Sequence, residues 1–221
     1  MDQPNLTEEQ HCHALIGLKR INCLSNTAAQ LFQRLQLIYH ETPERPLRVL
    51  DIACGGGDIA LALADRSRRQ GLPLEIDGCD ISSYALRHAR EQARHKGIQT
   101  GFFQCNALET LPEGYDILLS SLFLHHLSEE EVISLLKRMA CVSRVGFIIS
   151  DLCRCRYGRL LALSAPRLVT RSPIVHSDAL RSVDAAFTME EIQHLAQKAN
   201  LRNLQVHRAW PARFLLQWRR T

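Results

Sequence analysis

Asp51 stands at the end of an apolar run, just ahead of three consecutive glycines, Gly55, Gly56 and Gly57. Without a Cβ, such a turn lets a ligand approach the backbone closely. A carboxylate beside it would repel a phosphate and attract a cationic ligand. A second carboxylate, Asp80, lies about 20 residues further on, the distance at which an acidic residue takes ribose hydroxyls in nucleoside-binding crossovers. Further along come two adjacent histidines, His125 and His126, and then Asp151 at the end of another apolar run. Histidine titrates near ~6.5 as a free side chain, which suits it to take a proton from a reacting group at neutral pH. A positioned base of this kind is worth about 10²–10⁴ in rate.

The elements that must hold these groups follow from pattern. Residues 47–52 read as a buried strand, Gly55–Gly57 as a turn, and Ile59-Ala60-Leu61-Ala62-Leu63-Ala64 as the start of a helix. Strand, glycine turn and helix make a nucleotide-binding crossover. S-adenosylmethionine, with an ammonium and a sulfonium but no phosphate, suits a turn flanked by Asp51. The series Asp51-x-Ala53-x-Gly55-x-Gly57 resembles the first motif of class I S-adenosylmethionine-dependent methyltransferases, with Ala53 where many members have glycine. The overlapping series Gly55-x-Gly57-x-x-Ala60 also fits the dinucleotide pattern, so a nicotinamide-dependent oxidoreductase is the competing reading of this stretch.

Three later stretches extend the resemblance. Leu74–Asp80 reads as the second strand, and Ser82 caps a helix that Gly97 closes. Asn106-Ala107, followed by Leu111-Pro112, is similar to the Asp-Ala-x-x-Leu-Pro segment of the family. The resemblance implies that Asn106 accepts from the adenine amino group, without the charge assistance an aspartate would give. Tyr115–Leu127 is similar to the family's fourth strand and its exit loop, ending in Leu124-His125-His126-Leu127. Together these imply a cofactor site of Asp51, Ala53, Gly55, Gly57, Asp80, Ile81, Asn106, Ala107 and Ser121. The resemblance covers residues 47–151 well and the flanks by layout, and it points to the small-molecule branch that includes ubiquinone and menaquinone biosynthesis.

The predicted fold is α/β: a Rossmann-like, doubly wound, seven-stranded and mostly parallel sheet with its last strand antiparallel, plus an N-terminal helical cap. One domain is expected for 221 residues. Residues 1–46 would form the cap, with one helix opened by Thr7 and a second from Thr27 to about His40. Residues 47–151 would form the cofactor-binding core, 152–187 a lid over the substrate, and 188–221 a closing helix and hairpin. A capping box at Ser128–Glu131 opens the helix after the fourth strand, and Thr188–Glu191 opens the closing helix. The hairpin would pair Leu204–Arg208 with Arg213–Trp218. Gly101–Cys105 reads as the third strand and Val145–Asp151 as the fifth.

Loops after parallel strands four and five face the same edge as the glycine turn. The acceptor is therefore expected near His125 and His126, the candidate catalytic pair, and near Asp151, Arg154, His176 and Arg181, the candidate substrate-binding residues. For the lid, the alternative is a solvated helix with Leu160, Leu161, Leu163 and Leu168 in the core.

Composition narrows the function classes. A hydrophobic fraction of 46% is ordinary for a globular chain, and a net charge of +4 is too mild to imply nucleic acid. The eight cysteines include no C-x-x-C pair and read as reduced thiols in a cytoplasmic protein, with no metal site expected. Neither a signal peptide nor a run long enough to span a membrane is evident. No nucleic-acid-binding module is visible, and the base-methyltransferase motif Asn/Asp-Pro-Pro-Tyr/Phe is absent. The leading expectation is a methyltransferase using S-adenosylmethionine to methylate O or C of a small aromatic or polyketide-like acceptor. A nucleic-acid or protein methyltransferase using the arginines of 154–181, and a catalytically silent binding module, are the remaining alternatives.

Overall fold

The computed structural model describes residues 26–41, 45–169 and 173–220, with the side chains of all but 165–169 and 173–178. The helix expected from Thr7 lies outside the described residues. The second expected helix is present as α1 (Thr27–Glu41), whose buried stripe of Leu31, Phe32, Leu35 and Ile38 has the spacing of one helical face. The crossover follows as β1 (Leu47–Ile52) and α2 (Asp58–Gln70), then β2 (Leu74–Asp80), α3 (Ser83–Lys96) and β3 (Phe102–Gln104). Next come β4 (Ile117–Ser121), a 3₁₀ turn over Leu124–His126, α4 (Glu129–Val142) and β5 (Gly146–Leu152). Helices α5 (Arg156–Val169) and α6 (Pro173–Ala185) occupy the lid region, followed by α7 (Met189–Lys198), β6 (Gln205–Ala209) and β7 (Arg213–Arg219).

These strands form one seven-stranded sheet in the order β3-β2-β1-β4-β5-β7-β6. Strands β1–β5 pair in parallel, and β7 runs antiparallel to both β5 and β6. The predicted mostly parallel sheet with a reversed last strand is thus the observed one. On one face Leu50, Ile52, Leu118, Phe147, Ile149 and Phe214 pack on Leu135 and Leu136 of α4 and Ile192 and Leu195 of α7. On the other, Val49, Ile117, Leu119, Ile148 and Leu215 pack on Leu31 and Leu35 of α1, Leu61 and Leu63 of α2 and Leu86 of α3. Burial on both faces explains why the strands read as continuous apolar runs.

The predicted capping boxes at Ser128 with Glu131 and Thr188 with Glu191 are present, and the one expected at Thr7–Gln10 lies outside the described residues. Two strands depart from their expected bounds. Strand β3 is shorter than Gly101–Cys105, because the Gly101 amide donates to the Asp77 carboxylate at its start and the chain turns away at Asn106. Strand β4 begins at Ile117 because Asp116, fully buried, uses its carboxylate to accept from the Arg48 amide and from both terminal nitrogens of Arg45. In α5, Leu160 is 64% exposed and Leu163 38%, so these two do not enter the core. Helix α5 packs instead against α6, and α6 reaches the 3₁₀ turn that carries His125 and His126.

Candidate active site

The glycine turn is built from both sides. The Cys54 amide donates to the Cys79 carbonyl, and the Gly57 amide to the Cys54 carbonyl. Gly55 sits at φ +52° and Gly57 at φ +76°, the left-handed region that favours glycine. The two glycines serve different ends. A Cβ on Gly55 would meet nothing, so its Cα faces open space above the sheet edge. A Cβ on Gly57 would lie 2.8 Å from the Phe102 ring and 2.9 Å from Ala89. Gly57 is therefore needed by the core as well as by the turn. Ala53 also holds a positive φ, +52°, a strain its glycine-bearing counterparts would avoid.

Asp51 lies under the turn, 2% exposed. Burial pushes its carboxyl pKa up to about 8; the Ala60 amide opposes this, and the nearby charges of Asp80 and Asp58 add to it. Asp80 is held at the strand end by two amides, Gly55 N to Oδ2 and Ser82 N to Oδ1, both at 2.8 Å. The turn and the ribose-type carboxylate are thus one hydrogen-bonded unit. Next to it Ile81 is 63% exposed, a flat apolar surface at the end of β2. Asn106 Oδ1 accepts from the Leu108 amide, and its Nδ2 donates to Glu109, which fixes the amide with one carbonyl lone pair still open. Ala107 beside it is buried.

The exit from β4 is organised by Asp151. Leu122 adopts φ +59°, and its amide donates to the Ser150 carbonyl. That turn aims the next two amides at one oxygen: Phe123 N and Leu124 N donate to Asp151 Oδ2 at 2.8 and 2.6 Å. Asp151 Oδ1 accepts from the Leu152 amide at 2.7 Å and stands 2.6 Å from His125 Nδ1. Burial alone would push the Asp151 carboxyl up. The charge and hydrogen bond of His125, with the Leu152 and Leu124 amides, outweigh it and hold it below the usual carboxylate range. An ionised carboxylate only accepts, so Nδ1 is the donor and Nε2 is the nitrogen left to take a proton. His125 is buried at 7% exposure, whereas His126 is exposed, with ring centroids 4.1 Å apart.

The predicted substrate residues divide. Asp151 belongs to the dyad. Arg154 pairs with Glu191 and donates to the Asp184 carbonyl, tying the segment between β5 and α5 to α7 and the end of α6. Arg181 is exposed on α6, and the side chain of His176, in the same helix, lies outside the described residues. Reasoning from the chain missed Arg213, buried at the start of β7. It also missed Gly78, where a Cβ would lie 2.8 Å from the Phe102 ring. No local motif signals either one; the antiparallel pairing of β7 would have been needed to place Arg213.

The residues present fit S-adenosylmethionine. Three carboxylates, Asp51, Asp58 and Asp80, surround the turn and favour a cationic ligand. The turn opens to free space over Gly55, Ile81 offers an apolar surface, and the buried Ser121 hydroxyl at the end of β4 has no hydrogen-bond partner. Among the described residues no group of three His, Cys, Asp or Glu side chains is placed to hold a metal. Nor is any helix among them long and apolar enough to cross a membrane.

Residues 49–146 match the methyltransferase-domain family. The chain is 37% identical over 87 residues to the release factor glutamine methyltransferase of Streptococcus pneumoniae, covering 39% of this chain and 30% of that one. It is 32% identical over 90 residues to the ubiquinone biosynthesis O-methyltransferase of Idiomarina loihiensis, covering 39% and 34%. It spans about a third of the length of these curated relatives. Among solved structures it is similar to the magnesium protoporphyrin IX methyltransferase of Synechocystis PCC 6803 with bound SAH. The TM-score is 0.62 at 16% identity, over 99% of this chain and 90% of that one.

Proposed function

We propose, from a chain whose core is a class I S-adenosylmethionine-dependent methyltransferase domain, that the protein methylates O or C of a small aromatic acceptor, with His125 as its base and Asp151 as the residue that orients it. The single observation carrying this reading is the 2.6 Å contact between His125 Nδ1 and a fully buried Asp151, on the sheet edge that also bears the glycine turn. S-adenosylmethionine, when bound, supplies a methyl group already activated on sulfur. The chain's own work is then to position the acceptor and free its lone pair. Ionising a phenol of pKa ~10 at pH 7 costs roughly 4 kcal/mol. Nε2 of His125 is suited to take that proton, and Asp151 to stabilise the imidazolium that results. Asp51 and Asp80 would hold the cofactor's ammonium and ribose, and Ile81, Asn106 and Ala107 its adenine. Helix α6, with His176 and Arg181, packs on the dyad's turn and would form a wall of the acceptor site.

The test is a methyl-transfer assay across phenols, hydroquinones, peptides and RNA at physiological salt. Turnover of phenols or hydroquinones is the expected result, falling by a hundredfold or more in His125→Ala with cofactor affinity nearly unchanged. Turnover of RNA or a glutamine-bearing peptide in preference to every phenol would overturn the acceptor class. Parent-rate turnover by His125→Ala would remove the base and leave positioning alone.

A further inference from the structure

Helix α5 turns an apolar side away from the protein. Its inward side is set by Gly158 and Ala162, one turn apart and both buried. A Cβ on Gly158 would lie 3.0 Å from the Cys153 carbonyl and 3.2 Å from Ala212, so the first turn of the helix is pressed on the hairpin between β6 and β7. Leu160 stands two residues from each, which at about 3.6 residues per turn puts it on the opposite side. It is the most exposed large apolar side chain among the described residues. Tyr157 and Leu163 flank it on α5, and Trp210, two residues before Ala212 in the hairpin, is more than half exposed.

An apolar side turned outward marks a contact surface, and the charge around it says with what. Residues 152–177 hold five arginines and no aspartate or glutamate, in a chain whose whole net charge is +4. Arg154 and Arg159 meet carboxylates on neighbouring elements, Glu191 and Asp184. Arg156, exposed one turn before Leu160, forms no ion pair among the described residues. Leucine at the centre, arginine beside it, and tyrosine and tryptophan at the margin make the composition of a helix that lies in a membrane–water interface. A nucleic acid would use the arginines but leave Leu160 and Leu163 in water.

We propose that the outward side of α5, with Trp210 beside it, docks on a bilayer surface carrying anionic lipid. Leu160, Leu163 and Tyr157 enter the boundary between headgroups and acyl chains, and Arg156 meets the headgroup phosphates. Helix α6 joins this surface to the dyad, since it packs both on α5 and on the 3₁₀ turn that carries His125. Docking therefore brings the candidate acceptor site next to the lipid, within reach of an acceptor dissolved there. That consequence rests on the reading of His125 as the base; the docking does not.

The experiment is co-sedimentation of the full chain with phosphatidylcholine vesicles, with and without phosphatidylglycerol. Binding is expected to the mixed vesicles, and should fall about tenfold or more without the anionic lipid or at raised salt. Leu160→Glu and Arg156→Glu should each lower it by about tenfold or more, with the melting temperature unchanged because both side chains face water. Leu37→Glu, at a comparably exposed leucine on α1, should bind as the parent does. The chain has two tryptophans and Trp218 is buried, so a blue shift of emission on vesicle binding, absent in Trp210→Phe, reports the hairpin. A parent that stays in solution, a Leu160→Glu variant that binds like the parent, a Leu37→Glu variant that loses binding equally, or an unshifted emission each overturn the proposal. So does a dimer that Leu160→Glu dissolves while no vesicle is bound. Sedimentation needs no methyl transfer, so failure of the acceptor assay leaves the docking standing, and failure of docking leaves the acceptor class standing.

Discussion

Binding of S-adenosylmethionine should release a proton, and Asp51 should be its source. Its carboxyl is buried under the glycine turn, next to Asp80 and Asp58, with a pKa of about 8. At pH 7 such a group is ~90% protonated, and a cationic ligand selects the ionised form. Calorimetry in buffers of different ionisation enthalpy should therefore count about 0.9 proton released per ligand at pH 7. That count should fall toward ~0.1 from this group at pH 9. Affinity should rise nearly tenfold from pH 6 to 7, and less steeply as pH 8 is reached. The ligand's own ammonium, with a pKa of ~8, loses its charge over the same range, so an optimum near 8 is expected. Asp51→Asn isolates the residue's share: it should release no proton at pH 7 and lose the rise between 6 and 8. A parent protein that releases no proton at pH 7 and binds equally at pH 6 and 8 refutes the reasoning, because the carboxylate would then be ionised before the ligand arrives.

The same residue sets a pH dependence of folding without ligand. Its folded pKa, about 8, exceeds the ordinary 3.8, so the folded state holds a proton that the unfolded state has lost. That contribution is fully present below ~4 and fades as pH rises through about 8, by at most ~6 kcal/mol; urea unfolding of Asp51→Asn should gain on the parent across this window. Gly57→Ala should destabilise by about 2–4 kcal/mol, from a left-handed φ plus overpacking on Phe102 and Ala89. Gly55→Ala should cost about 1–2 kcal/mol and act mainly on cofactor affinity, since its Cβ enters open space; equal thermal shifts in the two variants would contradict this division. Arg154→Ala should cost no more than ~1 kcal/mol, because its pair with Glu191 is 43% and 40% exposed; a cycle with Glu191→Gln measures the coupling, and the acceptor KM shows whether Arg154 also reaches the substrate.

What could be read from the chain was local or periodic. The glycine turn, Asp80 at its expected distance and both capping boxes depend on neighbours a few residues away. The parallel pairing followed because βαβ crossovers leave little freedom of layout. What could not be read depends on distant partners. Nothing near Arg154 in sequence announces Glu191, and nothing near Asp116 announces Arg45. His125 and Asp151 were both singled out, yet their contact depends on Leu122 turning through a positive φ, which leucine rarely does. The stripe of α5 has helical spacing, and spacing cannot say which face a second helix will cover.

The ring of Phe102 carries one last consequence. It fills the space in front of both Gly57 and Gly78, so three positions on the turn, β2 and β3 share one volume. None of them can be exchanged singly for a larger residue. In descendants of this sequence they should drift as a set: a side chain at 78 would have to be accompanied by a smaller one at 102. Changes at the outermost parallel strand would be filtered by the fit of the cofactor turn.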